Sequence, residues 1–154
     1  LSSTVGALLL KKRLTVALAE SCSGGLLSSL LTDTPGSSRY FLGAVVAYDN
    51  GVKNSLLGVP KEALKEKGAV SPEVASKMAQ GVRERFLSDY GLAITGIAGP
   101  GGGTKKKPVG LVYIALAAVK NISVYKFNFS GKRTDIKLKS SLAALDILRK
   151  YLLK

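Results

Sequence analysis

Histidine and tryptophan are missing from this 154-residue chain, and cysteine and methionine occur once each. Without histidine it loses the usual general base near neutral pH and the commonest metal ligand. One cysteine excludes an internal disulfide, fits a reducing compartment, and with no histidine leaves no zinc donor set. Any proton transfer must then fall to lysine, tyrosine, serine, a carboxyl group or the substrate. Acids are also scarce, 10 against 23 Lys and Arg, for a formal charge of +13. Long apolar runs are lacking as well. "LVYIALAAV" (Leu111 to Val119) falls far short of the roughly 20 residues of a membrane span. Near the start, Lys11, Lys12 and Arg13 follow the apolar run rather than precede it, so no secretory leader is expected and a cytoplasmic location is.

The positive charge is concentrated late. Residues 104–154 hold 12 Lys and Arg against Asp135 and Asp146, whereas residues 1–103 hold 11 against 8 acids. Such a basic third attracts nucleic acid or a phosphorylated small molecule, or is simply a solvated lysine face. The aromatic-and-basic interleaving of single-strand binders is absent, so nucleic acid is not the expected partner.

Apolar residues make up 46% of the chain, enough for one domain over residues 1–154 with a packed core. Helical and strand-like segments alternate. Helices are expected over Ser2–Arg13, Gly24–Asp33, Gly51–Gly58, Pro60–Lys67, Ser71–Phe86 and Lys132–Leu153, the last with Leu138, Leu142, Leu145 and Leu148 on its apolar stripe. Strands are expected over Arg13–Glu20, Tyr40–Tyr48 and Gly91–Ala98, followed by a hairpin of Val109–Val119 and Ile122–Ser130. This alternation predicts an α/β fold, a three-layer α/β/α sandwich with a mixed central sheet.

Ligand sites in such folds lie at strand ends. Three polar segments follow predicted strands: "AESCSGG" (Ala19–Gly25), "AYDNGVK" (Ala47–Lys53) and "TGIAGPGGG" (Thr95–Gly103). A histidine-free site needs a hydroxyl activated by another base, and a lysine serves when burial lowers its pKa. Ser21, Ser23, Ser37, Ser38 and Thr95 supply hydroxyls; Lys53 is the lysine following a strand, with Tyr48 five residues before it. Five glycines in Gly96–Gly103 free backbone N–H groups to hold an oxyanion or phosphate, although the loop lacks the P-loop spacing. Cys22 is expected to be a small buried hydrophobe, Glu20 a site anchor or a helix cap, and Lys105–Lys107 a basic loop tip.

Taken in order, "AESCSGG", "TDTPGSSRYF", "AYDNGVKNSLLGV", "GAVSPEVASKMAQG", "ITGIAGPGGGTKKKPVG" and "FSGKR" resemble the CinA C-terminal domain family, the nicotinamide-nucleotide amidase (PncC-like) proteins. The likeness runs from Ala19 to Arg133. Ser23 stands where that family usually has threonine, and "YDNGVK" where it has a "YSNEAK"-like segment. The resemblance implies hydrolysis of nicotinamide mononucleotide to nicotinic acid mononucleotide and ammonia, by a Ser/Lys arrangement without metal or cofactor. Carried onto this chain it implies Ser38 as nucleophile, with Ser21 the runner-up, Lys53 as base and Tyr48 in support. Thr95, Gly96, Gly99, Gly101 and Gly102 would line the substrate site and Arg133 would meet the phosphate. A homo-oligomer is expected. The alternative reading is a non-catalytic nucleotide- or nucleic-acid-binding module.

Overall fold

The computed structural model describes residues 1–154. Six helices and five strands follow in the order α1 (Ser2–Lys12), β1 (Val16–Glu20), α2 (Leu26–Thr32), β2 (Phe41–Val46), α3 (Asn50–Leu57), α4 (Lys61–Lys67), α5 (Pro72–Phe86), β3 (Tyr90–Gly96), β4 (Leu111–Ala117), β5 (Ile122–Asn128) and α6 (Arg133–Leu152). A single 3₁₀ turn, Ser37–Arg39, precedes β2. The sheet order is β2-β1-β3-β4-β5. β1 runs parallel to both neighbours, while β3, β4 and β5 pair antiparallel, so the sheet is mixed as the alternation predicted.

Every residue of β1 is buried, as its continuous apolar run requires of a strand covered on both faces. On one face Leu18, Leu92 and Ile114 pack with Val5 and Leu9 of α1, Leu27 and Leu31 of α2, and Leu145 and Leu148 of α6. On the other, Ala17, Ala19, Ala93 and Ala115 meet Leu57 of α3 and Val74, Met78 and Val82 of α5. The alanine-lined face lets α5 lie close to the sheet. At the α3–α5 contact a Cβ on Gly81 would come within 1.8 Å of the Leu57 carbonyl oxygen. Gly81→Ala should therefore separate the two helices at a cost of about 3 kcal/mol, read as a lowered Tm in thermal unfolding.

α5 begins as its sequence requires: the Ser71 hydroxyl accepts the Val74 N–H at 3.2 Å and Pro72 takes the first turn. α6 departs from its expected stripe. Leu138 and Leu142 are substantially exposed, and the inward face runs through Ile136, Ser140, Ser141, Ala144, Leu145 and Leu148. The two serines are tolerated because their hydroxyls donate back to the Ile136 and Lys137 carbonyls at 2.6 and 2.9 Å.

No helix is long and apolar enough to cross a membrane.

Candidate functional site

From β1 the chain passes to β2 on one side, then crosses back to β3 on the other. The carboxyl ends of these strands therefore open a crevice where the winding direction changes, the position at which open α/β sheets hold ligands. A cleft of about 270 Å³ lies there. Its walls are Ser21 and Cys22 after β1; Tyr48, Asn50 and Lys53 between β2 and α3; and Ala69 and Val70 before α5. Thr95 to Gly99, Gly101 and Gly102 after β3, and Arg133 at the start of α6, complete it.

The three strand-end segments thus converge, and with them Ser21, Lys53, Tyr48, Thr95, Gly96, Gly99, Gly101, Gly102 and Arg133. Ser38 is not among them. It is exposed in the 3₁₀ turn leading into the amino end of β2, whereas the cleft lies past that strand's carboxyl end. The six residues of β2 alone rise by roughly 17 Å. The Ser38–Lys53 pairing expected from the resemblance is not formed within the chain, because the strand joining the two segments is extended and separates them. Asn50, to which the sequence reading gave no role, lines the cleft.

Lys53 is the most unusual side chain in the cleft. It is 1% exposed, and its Nζ donates to the carbonyls of Ala47 and Tyr48 at 2.8 and 3.1 Å. No carboxylate lies within salt-bridge distance. Burial lowers its pKa below the ordinary lysine value, and the nearby Asp49 carboxylate restores part of the shift. Asp49 is occupied as the cap of α3, its carboxylate accepting the Gly51 N–H at 2.7 Å. Two carbonyl acceptors have a further consequence. A neutral amine has two N–H bonds and one lone pair, so with both N–H groups donated the lone pair is left to face other partners.

The neighbouring groups are arranged by local chain chemistry. Glu20, fully buried at the end of β1, is the cap of α2: its carboxylate accepts the N–H groups of Gly25, Leu27 and Ser28 at 3.0, 3.1 and 2.8 Å. The Ser28 hydroxyl adds a fourth bond at 2.5 Å. That cap fixes the turn carrying Ser21 to Gly25. Within it the N–H groups of Cys22 and Ser23 make no backbone–backbone hydrogen bond. Burial pushes the Cys22 thiol up to about 11, so it stays protonated near neutral pH, as a structural cysteine does. The Thr95 hydroxyl donates to the Ala69 carbonyl at 2.8 Å and ties two walls together. Arg133 ties two more, donating to the Gly99 carbonyl at 2.7 Å and to the Tyr48 hydroxyl at 2.5 Å.

No three histidine, cysteine, aspartate or glutamate side chains converge as a metal-binding group. Other surface grooves, about 340 Å³ between α3 and α4 and about 200 Å³ between β5 and α6, hold no buried titratable side chain.

The model of the CinA C-terminal domain matches residues 1–152. This chain belongs to the CinA C-terminal domain family. It is 52% identical to a CinA-like protein of Desulfotalea psychrophila over all 154 residues, and 51% identical to a putative competence-damage inducible protein of Halothermothrix orenii over 99% of its length. In both cases it spans 37% of the relative's length. Among solved structures, the competence/damage inducible protein CihA from Agrobacterium tumefaciens superposes with a TM-score of 0.96 at 38% identity, covering 99% of this chain and 93% of that one. A CinA superfamily protein from Klebsiella pneumoniae gives 0.95 at 27% identity, with 99% and 95% covered. The CinA fold thus extends over the cleft and every segment that lines it.

Proposed function

We propose that this CinA-family domain is a serine amidohydrolase that releases ammonia from the carboxamide of nicotinamide mononucleotide. The observation that carries the reading is Lys53: an amine 1% exposed, bonded only to neutral carbonyls, in the same cleft as the Ser21 hydroxyl. A protein gains nothing in stability from burying an unpaired ammonium. The same burial yields a base with a lowered pKa, the requirement for activating a serine without histidine.

In this reading Ser21 Oγ attacks the carboxamide carbon and its proton passes to Lys53 Nζ. The Cys22 N–H, next in the chain and free of any backbone–backbone bond, is offered to the developing oxyanion. The C–N bond then breaks, Lys53 returns the proton to the leaving nitrogen, and ammonia departs. Water, deprotonated by the freed Lys53 amine, attacks the acyl ester; Ser21 is regenerated and the carboxylate leaves. The basic balance of the chain suits an anionic substrate, and the glycine-rich wall admits a flat ring close to the backbone.

The test compares ammonia release from nicotinamide mononucleotide and from free nicotinamide, using purified protein. Steady release from the nucleotide, with release from nicotinamide slower by at least roughly 100-fold in kcat/KM, is the expected result. Absence of release from the nucleotide, at any protein concentration giving a folded sample, would overturn the reading.

A further inference from the structure

Of the three lysines at the tip of the glycine-rich loop, Lys105 and Lys106 are exposed, whereas Lys107 is half-buried. Its Nζ donates to the Lys67 carbonyl at 2.5 Å, in the last turn of α4 and 40 residues back in the chain. The bond passes over Gly68. That residue has φ of +76°, which glycine adopts freely, and a Cβ there would come within 3.2 Å of the Lys107 amine. No carboxylate lies within salt-bridge distance of Lys107; the only ion pairs of the chain belong to Asp146. The backbone of Lys107 is fixed as well, by a turn closed on Thr104. The Thr104 N–H donates to the Lys107 carbonyl at 2.8 Å, and the Lys107 N–H donates to the Thr104 hydroxyl at 3.0 Å.

The two segments joined in this way lead into two walls of the cleft. Gly99, Gly101 and Gly102 line one, and Ala69 and Val70 line the other. A buried tie between the β3 end and the second wall is the Thr95 hydroxyl on the Ala69 carbonyl. The Lys107 bond, two residues earlier at Lys67, is the tie at the surface. Pro100 to Gly103 make no backbone–backbone hydrogen bond. A span so lightly bonded takes its position from its two ends. One end is Gly99, whose carbonyl accepts from Arg133; the other is the Thr104–Lys107 turn, which Lys107 pins to α4. An exposed lysine–carbonyl bond adds little to global stability, since ordering the long side chain costs entropy. Its effect is local: it fixes how far apart the two walls stand.

We propose that Lys107 is a positioning residue, a strap that holds the glycine-rich wall to the segment before Ala69 and so sets the width of the cleft for its substrate. The inference rests on the amidase reading for the reaction that reports it; the strap itself is defined by the Lys107–Lys67 bond and the Thr104 turn. Contacts between a wall and the substrate are present in the bound complex and in the transition state, so loosening the wall weakens both alike. Loss of the strap therefore falls on KM and leaves kcat almost unchanged. Arginine carries donors on a stem long enough to reach the same carbonyl, whereas methionine keeps the apolar stem and has no donor.

The experiment compares the wild type, Lys107→Met and Lys107→Arg in three measurements: ammonia release from nicotinamide mononucleotide, thermal unfolding, and limited trypsin digestion read by mass spectrometry. Trypsin cuts after Lys105 and Lys106 in all three proteins, and the bond before Pro108 resists it in each, so the substitutions leave the set of tip sites unchanged. In Lys107→Met, KM should rise about fivefold or more with kcat within about twofold, and both should stay near wild type in Lys107→Arg. Cleavage at the loop tip should be about threefold faster or more in Lys107→Met, because local opening governs its rate, with Tm unchanged. Unchanged KM beside an active wild type, or unchanged tip cleavage, in the folded Lys107→Met would overturn the strap. Faster tip cleavage in Lys107→Met with no ammonia release by any of the three proteins would sink the amidase reading and leave the strap standing. Ammonia release with KM and tip cleavage indifferent to Lys107 would do the reverse.

Discussion

Ser21→Ala is expected to lower kcat for ammonia release from nicotinamide mononucleotide by about 10³-fold or more, while Ser38→Ala stays within about threefold of wild type. The contrast follows from position. Ser21 lies on the turn fixed by the Glu20 cap and shares the cleft with Lys53. Ser38 is exposed at the other end of β2. Removing a nucleophile leaves only the binding and oxyanion contributions, so the loss should fall on kcat with KM little changed. Ser21 is small and 9% exposed, so loss of its hydroxyl should leave the fold intact. Steady-state kinetics on both variants decides the matter: a severe loss in Ser38→Ala beside an active Ser21→Ala would reverse the assignment.

Lys53→Met is expected to lose activity by about 10³-fold and to gain stability in the same substitution. The gain follows from linkage. Burial lowers the native pKa of Lys53, so the unfolded chain binds this proton more tightly than the native chain. Below the lowered native value the full penalty is present, and it is relieved as pH rises toward the ordinary lysine value of 10.5. Methionine fills similar space without a charge. Thermal unfolding near neutral pH should show a gain of about 0.5–2 kcal/mol, shrinking as pH rises. The wild-type kcat/KM should also climb with pH through the lowered native pKa, because the unprotonated amine is the active form. A destabilised Lys53→Met, or a wild-type rate falling as pH rises through this range, would count against Lys53 as the base.

Much of this architecture was legible in the chain because its signals are local. The continuous apolar run of β1 reports a strand buried on both faces, and Ser71-Pro72-Glu73 reports the start of α5. The three strand-end segments marked the cleft because parallel strands bring their carboxyl ends together. Ser38 misled because the distance between two segments depends on which end of a strand each adjoins. "PGSS" precedes β2 and "YDNGVK" follows it. α6 was legible as a helix but not in its orientation. Buried serines that bond back to their own helix look polar in sequence, and Leu138 and Leu142 look like core.

In the proposed reading one buried lysine gives a histidine-free cleft its base. The measurement that tests it most directly is ammonia release from saturating nicotinamide mononucleotide by wild type and Lys53→Met, at equal concentrations of folded protein. Steady release by the wild type is expected, with a rate lower by about 10³-fold in the variant. Equal rates in the two proteins would contradict it.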